Sequence, residues 1–326
     1  SLKEIYNWND SDEVIVPSVT FVATLNIILH NKMTPVIVDV DKDYYELDPS
    51  LIEEKITEKT RAIIPVHLFG QPCDMDPILE IAKKHDLKII EDSCETMFAK
   101  YKGKFTGTFG EIGCFSTYVA HLISTGVGGI NITNNPDLAV KLRSIFNHGR
   151  DAIYISIDDT KGKSESEFKE IIKKRFSFVN LGHSFRITEF EGALGLSQLD
   201  NWEEMINKRR ENADYLIKNL SIFKDHIQLP AIRPDTEHSF MMFPIVLLKE
   251  EKTRVITLLE ENGIETRDML PITNQPVYRK YLDIKEEDYP VAKWINKGGF
   301  YIGCHQDLTK EDLDKIIDVF KTKIFN

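Results

Sequence analysis

The sequence predicts an α/β protein with a mostly parallel sheet, helices on both faces of that sheet, and a smaller α+β domain towards the C-terminus. Short runs rich in β-branched residues alternate with amphipathic stretches through the first half of the chain. The runs are continuously apolar, as is typical of strands covered on both faces. With 326 residues, the chain can form one large and one smaller domain. We place them at residues 1–200 and 201–326.

The first half of the chain carries the alternating pattern. Strands are predicted at residues 14–17, 35–40, 62–66 and 87–92, and helices at residues 21–30, 49–56 and 77–85. Ligands of parallel sheets bind at the carboxyl ends of the strands. Asp92 ends the fourth predicted strand and therefore lies where a binding site is expected.

The second half of the chain is predicted to contain more helix. Its elements are a helix at 137–146, an exposed and partly helical charged excursion at 158–174, a long helical region at 188–220, a strand at 241–248, a helix at 252–262, and a final helix after 309. Gly263 closes the helix before it, and Thr309 resembles an N-cap followed by an acidic first turn. This order predicts the smaller α+β domain.

Composition and charge exclude several classes of protein. The net charge of −11 argues against a nucleic-acid binder, although it leaves room for a local basic pocket. No apolar run approaches the roughly 20 residues that span a bilayer. The four cysteines are far apart and lack zinc-binding spacing. We therefore predict a cytoplasmic protein with reduced thiols, no metal site, no nucleic-acid partner and no membrane contact.

Short motifs run through almost the whole chain. They lie at residues 12–18, 20–24, 39–41, 65–72, 91–92, 113–129, 147–151, 181–186, 192–196 and 263–267. In order and spacing they resemble the DegT/DnrJ/EryC1/StrS sugar aminotransferase family, which uses pyridoxal phosphate. The resemblance implies the fold-type I architecture of pyridoxal-phosphate enzymes and a homodimer with shared active sites.

The resemblance assigns three cofactor contacts residue by residue. Phe21 matches the aromatic residue that stacks on the pyridine ring, Asp92 the partner of the protonated ring nitrogen, and Ser116 a hydroxyl donor to the phosphate. A carboxylate beside the ring nitrogen keeps the ring cationic, so that the ring acts as an electron sink. Without the resemblance, Phe21 would be interpreted as a core residue at the start of a helix.

Four further positions are assigned with alternatives left open. Glu95 either contacts the hydroxyl side of the cofactor or is an exposed helical acid. Ser184 stands where the family usually has an asparagine that reaches the phosphate from the neighbouring subunit, and a serine is shorter. Arg186 either binds an anion or is a surface arginine at a helix start. Arg267 ends the last motif and is predicted, like Arg186, to bind substrate.

The position of the Schiff-base lysine holds His121, five residues after Ser116. An imidazole cannot form the lasting covalent link to pyridoxal phosphate that a lysine amine forms. Within the family, the 3-dehydratases of GDP-4-keto-6-deoxymannose and CDP-4-keto-6-deoxyglucose also carry a histidine here. Their Gly-Arg-Asp and Lys-Arg-Phe segments are similar to residues 149–151 and 174–176.

Resemblance to this branch implies a dehydration in deoxysugar or surface-polysaccharide synthesis. Glutamate, as amino donor, would convert pyridoxal phosphate to pyridoxamine phosphate, which would then condense with a nucleotide-linked 4-keto-6-deoxy sugar. His121, with an ordinary pKa of about 6.5, would take a proton from the cofactor's methylene carbon. The sugar would then lose its 3-hydroxyl.

The sequence also predicts that an iron–sulfur cluster and an N-terminal segment are absent, and it leaves two alternative functions open. Residues 152–157 contain no cysteine, so we expect none of the iron–sulfur clusters that the CDP-sugar enzyme carries there. A family segment that helps to hold the cofactor phosphate is not found, so we expect the N-terminal part of the large domain to be missing. The alternatives are an ordinary sugar-nucleotide aminotransferase and a catalytically inactive cofactor-binding or regulatory protein.

Overall fold

The computed structural model describes residues 1–151, 161–174 and 176–325. The elements of the first half are α1 (Leu2–Ile5), β1 (Glu13–Pro17), α2 (Val22–His30), β2 (Thr34–Val38), β3 (Thr60–Ile63), α3 (Met75–Lys84), β4 (Lys88–Asp92), β5 (Lys100–Tyr101), β6 (Lys104–Phe105), β7 (Ile112–Ser116), β8 (Gly129–Ile132) and α4 (Pro136–Phe146).

The elements of the second half are predominantly helical. They are α5 (Glu165–Lys174), α6 (Glu189–Leu199), α7 (Trp202–Leu220), β9 (Ile227–Gln228), β10 (Thr236–Glu237), β11 (Phe243–Leu247), α8 (Lys252–Glu261), β12 (Thr266–Asp268), α9 (Pro276–Tyr281), α10 (Pro290–Gly298), β13 (Gly299–Ile302) and α11 (Lys310–Val319).

A six-stranded sheet with the order β2-β1-β3-β4-β7-β8 forms the large layer of the protein. All neighbouring strands from β2 to β7 run parallel, and β8 is antiparallel to β7. Side chains of β1 alternate between two apolar clusters, as the two-residue period of a strand requires. Val14 and Val16 pack with Leu25 of α2, whereas Ile15 packs with Ile78 of α3. The predicted mostly parallel sheet with helices on both faces is confirmed.

A second, antiparallel sheet with the order β12-β13-β11-β9 lies in the C-terminal part of the chain. Apolar side chains of α7, α8 and α11 cover it in one cluster that includes Leu216, Leu259 and Ile316. Another cluster contains residues from both halves of the chain, among them Phe69 and Met269. The boundary between residues 200 and 201 stays a prediction.

One helix prediction is wrong, and the predicted long helical region is present but divided in two. Residues 49–56 form two 3-10 turns, Pro49–Leu51 and Glu53–Lys55, because Ile52 between them is fully buried and tertiary packing overrides local propensity. The region 188–220 is two helices, since α6 ends before Asp200 and α7 begins after Asn201. Aspartate and asparagine side chains compete with the helical backbone for hydrogen bonds and favour such breaks.

Three statements apply only to the described part of the chain. No helix in it is long and apolar enough to cross a bilayer. No group of three or more His, Cys, Asp or Glu side chains in these ranges is arranged to hold a metal ion. The segment 152–157, on which the iron–sulfur prediction depends, lies outside the described residues, and so does Arg175 of the Lys-Arg-Phe motif.

Candidate active site

Asp92 lies half-buried at the carboxyl end of β4, with its carboxylate held from two sides. The Thr24 hydroxyl of α2 donates to Oδ2 at 2.9 Å, and the Cys94 N–H donates to Oδ1 at 3.3 Å. Thr20 and Thr24 have their hydroxyl oxygens 3.0 Å apart. Because the Thr24 hydrogen is committed to Asp92, Thr20 donates to Thr24. These bonds orient the carboxylate and leave part of its acceptor capacity unused.

His121 lies in the loop after β7, and its tautomer follows from one hydrogen bond. Its Nδ1 is 2.6 Å from the carbonyl oxygen of Cys94. A carbonyl oxygen only accepts, so Nδ1 carries the hydrogen and the lone pair of the neutral ring is on Nε2. Burial lowers the pKa of His121, although the bond to Cys94 and the charge of Asp92 both oppose this effect. The ring is therefore neutral at pH 7, with Nε2 available as a base.

The lowered pKa of His121 predicts where activity is lost in acid. If Nε2 must be unprotonated, kcat/KM falls as the pH drops through the pKa of His121 in the folded protein. We expect the midpoint of this acid limb below the ordinary histidine value of about 6.5. The limb should persist in a Glu95→Gln variant, which removes a neighbouring group whose pKa is raised to about 7. A limb that disappears in that variant would assign it to Glu95 instead.

Glu95 is buried, with 8% of its surface exposed, so the alternative of an exposed helical acid is wrong. Its Oε2 accepts the Phe69 N–H at 2.6 Å. Burial raises the pKa of Glu95 to about 7, with a further contribution from the charge of Asp92, against the opposing effect of the Phe69 bond. The carboxyl group is thus poised between its neutral and charged forms near pH 7.

We expect Glu95→Gln to stabilise the cofactor-free protein at high pH. In the folded state Glu95 binds its proton more tightly than in the unfolded state, so its contribution to stability falls as pH rises from about 4.5 to about 7. Glutamine stays neutral and avoids this cost, which is on the order of 3 kcal/mol above that window. Chemical denaturation at pH 5 and pH 8 measures it. A stability difference between the two proteins that is the same at both pH values would contradict the raised pKa.

Phe21 and Ser116 lie at the same edge of the large sheet as Asp92. Phe21 is 58% exposed at the start of α2, one turn before Thr24, so the core-residue alternative is wrong. Ser116 ends β7, which pairs with β4 so that Asp92 lies opposite Cys114. The Ser116 oxygen accepts the Tyr118 N–H at 3.2 Å. Its hydroxyl hydrogen is then left to donate to a ligand.

Ser184 and Arg186 form a separate, exposed group. Arg186 Nη2 lies 3.3 Å from Ser184 Oγ and 3.3 Å from His148 Nε2. Arg186 is on the surface two residues before Thr188, which caps α6. Among the residues that the structure describes, no hydrogen bond or salt bridge links this group to Asp92 or His121. Within one subunit, the hydrogen bonds of this group are made among Ser184, Arg186 and His148.

Arg267 lies on β12 and lines a pocket next to the His121 loop. It forms an ion pair with Glu265 and donates from Nη1 to the Thr266 carbonyl oxygen at 2.7 Å. Ala120, which precedes His121, lines the same pocket. The pocket thus adjoins the segment that carries the candidate base.

Sequence reasoning missed the positioning roles of Thr24 and the Cys94 backbone. Thr24 belongs to the motif at residues 20–24, so the motif could have drawn attention to it. Only the fold shows that the Thr24 hydroxyl contacts Asp92, which lies 68 positions further along the chain. The thiol of Cys94 is free and partly buried. Its backbone N–H and carbonyl are the groups that hold Asp92 and His121.

A comparison with protein families decides the family question. The DegT/DnrJ/EryC1/StrS aminotransferase family matches residues 2–321, nearly the whole chain. The chain belongs to this family. Membership confirms the resemblance found in the sequence motifs.

Relatives within the DegT/DnrJ/EryC1/StrS family are named for two kinds of activity. GDP-perosamine synthase of Caulobacter vibrioides is 34% identical over 310 residues, which cover 94% of this chain and 77% of the relative. GDP-4-keto-6-deoxy-D-mannose 3-dehydratase of Escherichia coli O55:H7 is 31% identical over 320 residues, which cover 95% and 80%. The similar identities show a sugar aminotransferase-family enzyme without separating dehydratase from aminotransferase.

A solved family structure matches the fold. The E. coli GDP-4-keto-6-deoxy-D-mannose-3-dehydratase with bound hydrated PLP has a TM-score of 0.84 and 28% identity. The match covers 95% of this chain and 80% of that one. The predicted fold-type I architecture of pyridoxal-phosphate enzymes is thereby confirmed.

Proposed function

We propose that this protein is a pyridoxamine-phosphate-dependent 3-dehydratase of a nucleotide-linked 4-keto-6-deoxy hexose. The proposal rests on His121, which the sequence resemblance aligns with the family's Schiff-base lysine. The structure supports a base here, because Nδ1 bonds to Cys94 and leaves the lone pair on Nε2, and the charge of Asp92 acts on the ring. Glutamate is the proposed amino donor, and the proposed setting is deoxysugar synthesis in the cytoplasm.

The residues at the sheet edge fit pyridoxal phosphate. Asp92 has acceptor capacity left for a protonated ring nitrogen. Ser116 keeps a hydroxyl hydrogen for a phosphate oxygen, Phe21 offers an exposed ring, and Glu95 lies on the cofactor's hydroxyl side in this proposal. When bound, the cofactor supplies an electron sink that stabilises negative charge on an attached carbon.

His121 is the group that moves the proton. Its Nε2 accepts a proton, and the resulting positive charge is stabilised by the nearby carboxylate of Asp92 and by the Nδ1–H bond to the Cys94 oxygen, which becomes charge-assisted. The protonated ring can then donate from Nε2 to the departing 3-hydroxyl, which leaves as water. One imidazole thus serves as base and then as acid, because its lowered pKa lets it release the proton readily.

A second candidate function is sugar-nucleotide amino transfer. It is favoured by the 34% identity to a GDP-perosamine synthase, which is no lower than the identity to the dehydratase. An amine transfer needs a group that recaptures the cofactor, and by the sequence resemblance His121 stands where the family has that lysine. We therefore rank transfer below dehydration.

Product mass separates these functions. The protein is incubated with pyridoxal phosphate, glutamate and GDP-4-keto-6-deoxymannose, and the sugar nucleotides are analysed by mass spectrometry. A 3-deoxy product that is lighter by one oxygen atom, with release of 2-oxoglutarate and ammonia, supports the dehydratase. A product in which an amino group replaces the keto oxygen supports the aminotransferase. No turnover with this or other 4-keto-6-deoxy sugar nucleotides supports the inactive homologue.

A homodimer is also part of the proposal, and an exposed apolar run supports it. Between residues 176 and 199, large apolar side chains reach high exposure, with Leu181 at 94% and Phe190 at 83%. Others in this run are Phe176, Phe178, Val179, Phe185, Leu194 and Leu196. Soluble monomers rarely expose so much apolar surface without a partner. A second copy would cover it and would bring a second Ser184 group towards the Asp92 site.

We expect Phe190→Asp to convert the dimer to a monomer, because it places a charge within the surface that the second copy covers. Light scattering after size-exclusion chromatography measures the molar mass. Ile222→Asp is the matched control, since Ile222 is exposed outside this run, and it should leave the dimer intact. If Phe190→Asp retains the dimer mass, or if the unaltered protein is monomeric, the interface is placed wrongly.

A further inference from the structure

Residues 117–128 form a closed loop that carries His121, and we call it the His121 loop. Its ends are paired by backbone bonds. The Thr117 N–H donates to the Gly128 carbonyl oxygen at 3.1 Å, and the Thr125 N–H donates to the Thr117 carbonyl oxygen at 2.8 Å. The hydroxyl oxygens of Thr117 and Thr125, both buried, lie 2.7 Å apart. The ends are thus fixed to each other, and the position of His121 depends on what holds the middle of the loop.

Gln198, near the C-terminal end of α6, holds the middle of the loop at Ser124. Its Oε1 accepts the Ser124 N–H at 2.9 Å, and its Nε2 donates to the Ser124 carbonyl oxygen at 2.6 Å. Nε2 also donates to the Leu194 carbonyl oxygen of the same helix at 2.8 Å, which orients the amide. A carboxamide carries a donor and an acceptor side by side, so it can bind both polar groups of one backbone residue. Two bonds to the same residue restrain its rotation as well as its position.

Apolar packing holds the two residues between His121 and Ser124. Leu122 and Ile123 are both buried and share a cluster with Ile206 of α7. Three consecutive residues after His121 are therefore held in place, the first two by packing and the third by the paired hydrogen bonds.

The imidazole of His121 keeps its present contact only while the backbone of the loop stays in place. Its Nδ1 donates to the Cys94 carbonyl oxygen at 2.6 Å, and Cys94 belongs to the turn after Asp92. Hydrogen bonds weaken steeply when the distance and angle leave their preferred ranges. A displacement of residues 122–124 would therefore break the bond to Cys94 and would expose the ring to water.

We propose that Gln198 is a positioning residue for His121, and that its paired bonds to Ser124 hold the imidazole where Nε2 can take a proton from the bound cofactor. This assignment rests on the proposed function. Gln198 acts through the loop, because both hydrogens of its Nε2 are donated to backbone oxygens, those of Ser124 and Leu194. It is thus distinct from the groups that meet the cofactor.

The rate at which diethyl pyrocarbonate modifies His121 tests the assignment, because the reagent attacks only an accessible, unprotonated imidazole nitrogen. The measurement needs neither cofactor nor turnover. Cleavage after lysine and arginine gives the peptide 105–141, in which His121 is the only histidine. The peptide 62–83 likewise contains only His67, which is fully buried. Modification of His67 therefore reports opening of the whole fold, whereas modification of His121 also reports local opening of its loop.

We expect Gln198→Leu to raise the modification rate of His121 by about 5- to 100-fold, the increase in displaced loop that loss of two hydrogen bonds gives. Leucine is similar in size, and Ser124 is only partly buried, so its backbone can bond to water and the fold should be retained. The rate at His67 should not change. The midpoint of the pH dependence at His121 should rise towards the ordinary value of about 6.5, because burial is the main cause of its lowered pKa.

Ser197→Ala is the matched control on the same helix. Ser197 is exposed, and its hydroxyl donates to the Leu194 carbonyl oxygen within α6. This variant should change the modification rate of His121 by less than about twofold, as is usual for surface substitutions.

Three results would overturn the assignment. The first is an unchanged modification rate of His121 in Gln198→Leu. The second is an equal rise at His121 and His67, which would show a loss of overall stability. The third comes from turnover, where we expect a lower kcat with an unchanged KM for the sugar nucleotide. A higher KM with an unchanged kcat would make Gln198 a determinant of binding instead.

Failure of the proposed function gives a different result. Faster modification of His121 in Gln198→Leu, in a protein that dehydrates no sugar, would retain Gln198 as the residue that holds the loop and would remove the dehydratase proposal.

Discussion

Replacing His121 by asparagine should lower kcat by at least about 100-fold, the smaller end of what a positioned general base contributes. Asparagine is similar in size, and its amide can still donate to the Cys94 carbonyl oxygen that now accepts from Nδ1. It cannot take up a proton at neutral pH. Asp92 and Ser116 are untouched, so the affinity for pyridoxal phosphate should change by less than about threefold. Turnover and cofactor titration measure the two effects separately.

The control for this variant is His85→Asn. His85 is a surface residue paired with Glu53, and its replacement should leave both turnover and cofactor affinity unchanged. Turnover of His121→Asn equal to that of the unaltered protein would remove His121 as the base. An equal loss of cofactor affinity and turnover would make His121 a binding residue instead.

Replacing His121 by lysine should produce a yellow protein on addition of pyridoxal phosphate. A lysine amine forms a covalent imine with the cofactor's aldehyde, which an imidazole cannot do in lasting form. The nearby carboxylate of Asp92 and the Cys94 carbonyl oxygen surround this position, so the lysine side chain would meet the groups that now face the imidazole. The visible absorbance records the imine, and borohydride reduction fixes the cofactor to residue 121 for detection by peptide mass.

The lysine variant should also shift the product from dehydration towards an amino sugar, since its amine can recapture the cofactor. His121→Asn treated in the same way should stay colourless and carry no cofactor mass after reduction. If the lysine variant also fails to bind the cofactor covalently, residue 121 does not face the cofactor aldehyde. The proposed replacement of the Schiff-base lysine would then be wrong.

Local patterns were sufficient for the four strands β1 to β4 of the large sheet, whereas its strands β7 and β8 were not predicted. The apolar runs that become β1 to β4 are continuous because both faces of these strands are covered, as the separate packing of Val14 and Ile15 shows. A run that ends in Asp92 therefore predicted a carboxylate at the ligand-binding edge of the sheet. The motifs around Ser116 and His121 added the family, which local patterns alone could not supply.

The features of the site that the sequence did not reveal depend on contacts between residues far apart in the chain. Thr24 holds Asp92 across 68 positions, and Gln198 bonds to the His121 loop across 74 positions. Glu95 follows a polar turn and has the local sequence of an exposed acid, yet chain segments remote in sequence bury it. The tautomer of His121 depends on a backbone oxygen, which has no signature in the side-chain pattern.

Deuterium loss from the cofactor measures the proton transfer by His121 most directly. Pyridoxamine phosphate that carries deuterium on its methylene carbon is incubated with the protein and the nucleotide-linked 4-keto-6-deoxy sugar, and the recovered cofactor is analysed by mass spectrometry. We expect the unaltered protein to yield pyridoxal phosphate that has lost one deuterium, and His121→Asn to yield none above background. Equal loss with both proteins would show that another group moves this proton, and it would contradict the role assigned to His121.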